Sequence, residues 1–467
     1  MISKFIEENK EKLLDNIFDL IRIPSISLEN EAKPGMPFGV NCAKALDYIL
    51  NKAQEMGFKT KNIDGYCGYI EFGEGTELLG IIGHLDVVPV GDGWTKCEPF
   101  SPTIIDNKLY GRGAIDDKGP VIASLYAMKY VKDYMSVNKR VRLIIGLNEE
   151  VDWKCIEYYK SHEEAPTIGF SPDADFPVIY AEKGFLNCYI KQPSVNIENS
   201  IIKIQSINCD SAINIVPKIA EAVLEINDID INNFTQKINN LVNKYNFHIE
   251  YEILSENTIK ITSKGVSAHS AYLDLGVNAL SRLLVLLNDL LLDYEIKIQI
   301  LDYFSKSINT TLYGELMGIN VEDESGKLTL NVANTKFENN SLTLGLNLRI
   351  PVTIYPAIVK QKINDTILDY NGLELEFNSE KPALYIPKNN ELVTTLCSVF
   401  NEVTGQSAEP ITCAGATYAR AFDNVVSFGC NMPGNIDMCH QADEYINISD
   451  LLTSIEIYIK AIKKLTE

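Results

Sequence analysis

The feature that most constrains the fold is an alternation of amphipathic helical patterns with short apolar runs over the first 190 residues. Helical periodicity covers residues 3–21, which end before Pro24, and then residues 39–56, about 119–135 and 151–161. The strand-like runs YCGYIEF, ELLGIIG, RVRLIIGL and TIGF lie between these helices. This alternation predicts an α/β domain with a mostly parallel sheet covered by helices, in which functional groups gather beyond the carboxyl ends of the strands.

The pattern changes near Phe185. Residues 188–382 are rich in β-branched runs such as IIKIQSI, TIKITS and SLTLGLNLRI, with a helix predicted over 274–293. After KPALYIPKNN the α/β pattern returns, with helices near 390–404 and 448–465 and a short strand at VVSFG. We therefore predict one α/β domain formed by residues 1–187 and 383–467, interrupted by a large α+β domain of residues 188–382, a size that a single domain can have.

Composition excludes several classes of partner. The chain has 467 residues, with 63 acidic against 42 basic side chains and a net charge of −21, which disfavours nucleic acids and anionic membrane surfaces. No stretch reaches the ~18 apolar residues that a membrane span needs, and the N-terminus lacks a secretory pattern. Ten cysteines without a CxxC pair indicate reduced thiols. These features predict a cytoplasmic protein.

Two residues at the end of an apolar run form the first candidate for a metal site. His84 ends LLGIIGH, and Asp86 follows two positions later. Residues two apart in extended chain point to the same side, so Asp86 can orient a metal-binding imidazole. A hydrogen-bonded histidine at a strand end is the alternative, and for this short motif alone it is the more common case.

Two pairs of adjacent carboxylates also occur where elements begin or end. Asp116 and Asp117 precede a predicted helix, where they can cap its N-terminus or one of them can bridge two cations. Glu149 and Glu150 follow the run RLIIGLN. Since adjacent side chains diverge, one can bind metal while the other acts as a general base; a solvated helix start is equally compatible.

The last candidates lie in two polar loops. Asp173 and Asp175 follow TIGF, where an Asx-type turn is the simpler interpretation, and His440 precedes the final helix. Taken together, the candidates supply two histidines and at least three carboxylates from one predicted domain. Nitrogen and oxygen ligands without thiolate suit zinc, cobalt or manganese.

The order of six motifs resembles a known family. GHLDVVPVGDGW, LYGRGAIDDKGP, NEE, PDADFPVIYAEKG, GVSAHS and CHQADE occur as in the co-catalytic zinc peptidases that include carnosinases, aminoacylases and carboxypeptidase G. The chain looks most like the peptidase V branch, the Xaa-His dipeptidases. The resemblance spans about residue 10 to the C-terminus and implies a catalytic zinc-peptidase domain interrupted by a lid domain.

The resemblance also implies roles for individual residues. It makes His84 and Asp173 ligands of one zinc ion, Glu150 and His440 ligands of a second, Asp116 the bridge, Glu149 the general base and Asp86 the partner that orients His84. Two such ions, roughly 3.5 Å apart, would share a water, lower its pKa towards neutrality and polarise the scissile carbonyl. Glu149 would take a proton from this shared water and pass it to the leaving amine.

The inserted domain would supply the substrate-binding residues. By resemblance, His269 in GVSAHS donates to the tetrahedral oxyanion, while Asn214 and Arg349 hold the substrate. Gly415 and Thr417 lie in CAGATY, where relatives carry Gly-Gly-Gly-Thr. The added Cβ atoms there are expected to cost about 1 kcal/mol each if the backbone needs positive φ, or to narrow the pocket. The inserted domain is about twice the size of the lid in many relatives. The resemblance therefore implies that His269 acts on the site of its own chain and that the protein is a monomer.

The predicted function is therefore that of a di-zinc dipeptidase acting on small peptides with a free N-terminus, with β-alanyl and D-residue dipeptides among the candidates; Co²⁺ or Mn²⁺ are possible substitutes for Zn²⁺. An amidohydrolase of N-acyl amino acids is the alternative, because the same metal pair would serve it. A non-catalytic binding protein is disfavoured, since every implied ligand and Glu149 are retained.

Overall fold

The computed structural model describes residues 1–195 and 200–467. The chain divides into two compact units: unit 1 comprises Met1–Ala181 and Leu384–Glu467, and unit 2 comprises Glu182–Ala383. The boundaries that the sequence predicts, 187/188 and 382/383, lie six residues and one residue from these. All ten cysteines are unpaired.

The described residues form helices and strands throughout both units. The α-helices are α1 (Ile2–Ile21), α2 (Val40–Glu55), α3 (Lys118–Tyr134), α4 (Lys154–His162), α5 (Ile231–Tyr245), α6 (Ala279–Leu292), α7 (Gln299–Ser307), α8 (Pro356–Ile367), α9 (Glu391–Thr404) and α10 (Ile448–Leu465). The strands are β1 (Lys59–Ile63), β2 (Cys67–Phe72), β3 (Leu78–His84), β4 (Thr103–Ile105), β5 (Lys108–Tyr110), β6 (Arg140–Gly146), β7 (Ile168–Ser171), β8 (Ile179–Glu182), β9 (Gly184–Gln192), β10 (Ile202–Asn208), β11 (Ile219–Ile226), β12 (Ile249–Ser255), β13 (Thr258–Lys264), β14 (Glu322–Asp323), β15 (Gly326–Lys327), β16 (Thr329–Glu338), β17 (Ser341–Ile350), β18 (Glu374–Lys381), β19 (Leu384–Tyr385), β20 (Ile411–Cys413), β21 (Val425–Ser427) and β22 (Tyr445–Asn447).

Unit 1 is built on a large mixed sheet with the strand order β1-β2-β6-β3-β7-β21-β8-β19. Its four central strands, β6, β3, β7 and β21, are parallel, while β1 and β2 pair antiparallel to their neighbours and β8 pairs antiparallel with β21. Every residue of β3 is buried, as expected for a central strand covered on both faces. The predicted α/β class is confirmed, and the predicted parallel pairing is found among the four central strands.

The helices of unit 1 bury their apolar faces in its core. α3 packs against both α1 and α10, and its residues from Lys118 to Met128 are all buried. A second, three-stranded sheet with the order β22-β5-β4 joins the C-terminal part of the chain to the segment before α3. This small sheet matters because it brings two loops of the candidate site together.

Unit 2 contains two four-stranded antiparallel sheets, β10-β11-β13-β12 and β16-β17-β9-β18. α6 lies against the first of them and buries Leu283, Leu287 and Leu290 completely. This helix begins at Ala279, not at residue 274 as predicted, because the Asn278 side chain accepts from the backbone N–H of Ser281 and caps it there. In the part of the chain that the structure describes, no helix has the length and apolarity to cross a bilayer.

Candidate metal centre

The candidate site lies in unit 1, at the edge of the large sheet where its parallel strands end. His84 is the last residue of β3, Glu149 and Glu150 follow β6, and Asp173 follows β7. Because β6, β3 and β7 are adjacent and parallel, their carboxyl ends lie along one edge. The strand pattern alone therefore accounts for the proximity of four predicted site residues.

Two further residues reach the site on loops. Asp116 lies between β5 and α3, and His440 lies in the loop before β22. β22 pairs with β5, with Tyr445 opposite Tyr110, so the loop of His440 runs beside the loop of Asp116. The small sheet thus joins two residues that are far apart in the sequence.

Asp116 lies at the centre of the cluster. Its Oδ1 is 3.0 Å from Nε2 of His84, and its Oδ2 is 3.0 Å from Nε2 of His440. Oδ2 of Asp173 is 3.4 Å from the same His84 nitrogen, and Oε1 of Glu150 is 3.0 Å from the His440 nitrogen. The atoms form two groups, His84 with Asp173 and His440 with Glu150, which share the carboxylate of Asp116.

This cluster fits divalent metal ions. Nε2 of His84 and Oδ1 of Asp116 are buried, and among the described residues neither makes a hydrogen bond of good geometry, although they face each other. Such atoms are costly in a folded protein unless a ligand uses them. Ligand atoms of His84, Asp116 and Glu150 lie within 4.8 Å of one another, as do those of His84, Glu149 and Asp173. The imidazole and carboxylate donors suit zinc, cobalt or manganese.

The electrostatics of the site also favour cations. Burial, reinforced by neighbouring carboxylates, raises the pKa of Glu149 well above its usual range, raises the pKa of Glu150 to about 7 and raises the pKa of Asp173. Burial also acts on Asp116, but the neighbouring imidazoles of His440 and His84 outweigh it and hold the pKa of Asp116 well below its usual range. Divalent cations would offset the repulsion between these buried acids.

Asp86 connects the imidazole to both glutamates. Its buried carboxylate accepts from the backbone N–H of Glu149 at 3.0 Å and from that of Glu150 at 3.1 Å. Nδ1 of His84 lies 2.9 Å from the backbone carbonyl of Asp86 and 3.5 Å from its carboxylate. The sequence suggested that the Asp86 carboxylate contacts the His84 ring, but the nearer contact is with the Asp86 backbone carbonyl. The carboxylate instead accepts hydrogen bonds from the two backbone N–H groups.

The adjacent Asp117 has a different surrounding from Asp116. Its Oδ2 accepts from the backbone N–H of His84 at 3.1 Å, and it makes no side-chain cap at the start of α3. A Cβ at Gly83 would lie 2.4 Å from this oxygen, so only glycine permits the contact. Similarly, Asp175 accepts from the Asn431 side chain at 2.8 Å, while Asp173 faces His84.

Comparison with known proteins supports the reading of the motifs. A sequence profile of peptidase family M20/M25/M40 matches residues 80–464. This chain belongs to that family. It is 40% identical to the putative dipeptidase YtjP of Bacillus subtilis over 465 residues, 98% of each chain, and 34% identical to the putative dipeptidase SH1171 of Staphylococcus haemolyticus over 466 residues, again 98% of each. The family expected from the six motifs is confirmed.

Solved structures show the same fold at low sequence identity. Human carnosine dipeptidase 1 aligns with a TM-score of 0.60 and 14% identity, over 100% of this chain and 98% of that one. The dipeptidase Dug1p of Saccharomyces cerevisiae aligns with a TM-score of 0.59 and 13% identity, over 100% and 98%. As a member of family M20/M25/M40, the chain is a metallopeptidase.

Three predicted site residues of this M20 peptidase lie in unit 2, close to one another. The backbone N–H of Ser270, next to His269, donates to the carbonyl of Asn214 at 2.8 Å. The carbonyl of Ser270 accepts from Oγ1 of Thr329 at 2.9 Å, and Thr329 is paired with Arg349 across β16 and β17. Unit 2 therefore brings Asn214, His269 and Arg349 into one neighbourhood.

The loop of Gly415 and Thr417 is held by local hydrogen bonds in unit 1. The N–H of Gly415 donates to Sγ of Cys413 at 3.1 Å, and its carbonyl accepts from Arg420 at 3.0 Å. The Thr417 hydroxyl lies 2.7 Å from that of Ser427. None of the residues that differ from the Gly-Gly-Gly pattern has a positive φ, so the strain expected from their Cβ atoms does not arise.

Sequence reasoning missed two residues that contact the loops of Asp116 and His440. Arg112 and Glu444 are buried and form an ion pair with Nη1 and Oε2 2.7 Å apart. Both lie inside motifs that carry the resemblance, LYGRGAIDDKGP and CHQADE. The available signal was that each motif contains a charged residue, Arg112 or Glu444, to which the predicted set of metal ligands assigns no role.

Proposed function

We propose that this metallopeptidase is a dipeptidase that uses two zinc ions, with Co²⁺ or Mn²⁺ as possible substitutes. The observation that carries the proposal is the carboxylate of Asp116, whose two oxygens face two separate groups of ligand atoms. His84 and Asp173 would hold one ion, and Glu150 and His440 the other. The relatives named putative dipeptidases, matched over 98% of their length, support peptides as the substrates.

The reaction needs residues around the ions. When bound, the ions would supply a water of lowered pKa and polarise the scissile carbonyl. Glu149 is proposed to take the proton of the attacking water and to deliver it to the leaving amine. Its backbone is held by Asp86 beside Glu150, and its carboxylate shares a neighbourhood with His84 and Asp173.

The residues of unit 2 are proposed to act on the substrate. His269 would donate to the oxyanion, and Arg349, whose guanidinium can form two parallel hydrogen bonds, would bind the terminal carboxylate together with Asn214. Gly415 and Thr417 are proposed to bind substrate from unit 1. The proposed enzyme is a cytoplasmic monomer, which fractionation of the source cells and light scattering of the purified protein would test.

A substrate panel tests the activity. Protein loaded with Zn²⁺ is incubated with alanine-containing dipeptides, carnosine, tripeptides and N-acetylated amino acids, and the released amines are quantified. We expect hydrolysis of dipeptides with a free N-terminus. Activity confined to acylated substrates would instead assign an N-acyl amino acid amidohydrolase.

The variant Glu149→Gln tests the mechanism. It removes the proton acceptor but none of the proposed ligands, so we expect two retained metal equivalents and a kcat lower by roughly 10²–10⁴-fold. Glu71→Gln is the control, because Glu71 pairs with Arg142 in the sheet of the same unit and should leave kcat unchanged. Turnover retained by Glu149→Gln would refute its role.

A further inference from the structure

Arg112 and Glu444 form a buried ion pair between the two loops that carry Asp116 and His440. Arg112 follows β5 by two residues, and Glu444 directly precedes β22. Their side chains are almost completely inaccessible, with Arg112 1% and Glu444 0% exposed. Burying two charges is costly, so a pair in this place calls for an explanation beyond general stability.

The Glu444 carboxylate is bound to the segment that leads to Asp116. Oε2 accepts from Arg112 and from the backbone N–H of Gly113 at 3.0 Å. Oε1 accepts from the backbone N–H of Ile115 at 3.0 Å and from that of Asp116 at 3.3 Å. Glu444 therefore determines the path of the backbone immediately before and at the shared carboxylate.

Arg112 performs the same task on the other loop. Nη1 donates to the carbonyl of Gln441 at 3.3 Å, and Nη2 lies 3.5 Å from the carbonyl of His440 and 3.2 Å from that of Val90. His440 has a φ of +65°, a conformation that residues other than glycine rarely adopt without surrounding support. The guanidinium supplies hydrogen bonds at this position.

We propose that the Arg112–Glu444 pair is a positioning element that sets the metal affinity of the site by fixing Asp116 relative to His440. The inference rests on the proposed function, since it assumes that these two residues bind metal. His84 and Asp173 depend on strand ends instead, so the ion held by Glu150 and His440 should be the more sensitive one.

Unit 1 contains a matched pair that separates positioning from stability. Arg142 is 2% exposed, and its Nε donates to Glu71 at 2.7 Å across β6 and β2. Its other partners include Tyr159 and Glu164, neither of which is a proposed ligand. Glu71→Gln therefore removes the charge from an arginine–glutamate pair whose arginine is buried, without contacting the loops of Asp116 or His440.

The experiment measures Zn²⁺ affinity of the full-length protein by competition with a chromogenic chelator, alongside thermal denaturation. We expect Glu444→Gln to weaken at least one Zn²⁺ equivalent by about 10–100-fold, the usual effect of removing a group that orients metal ligands. Glu71→Gln should lower the melting temperature but leave both affinities unchanged. Arg112→Lys, which keeps the charge but loses the planar fork, should show a smaller loss in the same direction.

Several outcomes would overturn the inference. Unchanged affinity in Glu444→Gln, or equal losses in Glu444→Gln and Glu71→Gln, would reduce the pair to a stabilising contact. If circular dichroism shows that Glu444→Gln does not fold, Arg112→Lys decides, and wild-type affinity in that variant refutes the proposal. A wild-type protein that binds no Zn²⁺ would refute the proposed function as well, whereas normal wild-type binding with unaffected variants refutes this inference alone.

Discussion

Replacing Asp86 by asparagine tests the central claim that one carboxylate arranges both glutamates of the site. The two oxygens of Asp86 accept from the N–H groups of Glu149 and Glu150, at 3.0 and 3.1 Å. Asparagine has the same shape but offers one acceptor oxygen and one NH₂ donor. In Asp86→Asn, one backbone N–H would therefore face another donor inside the protein.

The size of the effect follows from this mismatch. An unsatisfied buried donor costs about 1–3 kcal/mol. A change of 1.36 kcal/mol in the activation barrier corresponds to a factor of ten in rate. If the whole cost raises the barrier because the two glutamates move, the rate would fall by about 5–150-fold. We expect kcat to fall about 10–100-fold, in line with other residues that orient metal ligands. KM should change little, because Arg349 and Asn214, the proposed substrate contacts, lie in unit 2.

The assay is steady-state hydrolysis of a dipeptide at saturating Zn²⁺, with the melting temperature measured on the same preparations. Asp323→Asn is the matched control: the Asp323 carboxylate likewise accepts from two backbone N–H groups, of Ser325 and Thr353, both at 2.7 Å. It should lose stability without losing turnover. If Asp86→Asn also loses only stability and keeps its kcat, Asp86 does not position the catalytic groups and the reasoning fails.

Three further predictions concern packing, pH and metal. In Gly146→Ala the new Cβ would lie 2.4 Å from Oη of Tyr418, so overpacking should cost about 1–3 kcal/mol and lower the melting temperature; an unchanged value would contradict the packing described for this strand. Burial raises the pKa of Asp302, but hydrogen bonds with Lys306 and Lys297 outweigh it and leave the pKa below its usual value of about 4. The charged Asp302 side chain therefore stabilises the folded protein above about pH 4, and this stabilisation is lost as the pH falls through the pKa of the folded state. Urea denaturation should accordingly show Asp302→Asn to be less stable than wild type at pH 7, with a difference that shrinks below about pH 4, and a difference independent of pH would be inconsistent with this ion pair. Removing metal with a chelator should abolish hydrolysis and lower the melting temperature, since free Zn²⁺ at 100 times its Kd stabilises the folded state by about 2.7 kcal/mol. Equal melting temperatures with and without metal would argue against binding at this site.

Much of unit 1 is predictable from local sequence. Helical and strand periodicities placed α1, α2, α3, β3, β6 and α10 to within about two residues of the observed bounds, because their burial patterns are regular. The domain boundary is harder to find. β8 ends at Glu182 and β9 begins at Gly184, so only Lys183 separates the last strand of the first segment of unit 1 from the first long strand of unit 2.

The sequence by itself determined which residues could form the site and that most of them follow strands or precede helices. It left open the choice within each pair, Asp116 or Asp117 and Glu149 or Glu150, which only the family resemblance could make. The tertiary structure decides how each member is used, because orientation depends on backbone contacts made by distant residues. Asp116 faces two histidines, and its backbone N–H donates to Glu444, more than 300 residues later. No local pattern encodes such a contact, which arises only when β22 pairs with β5.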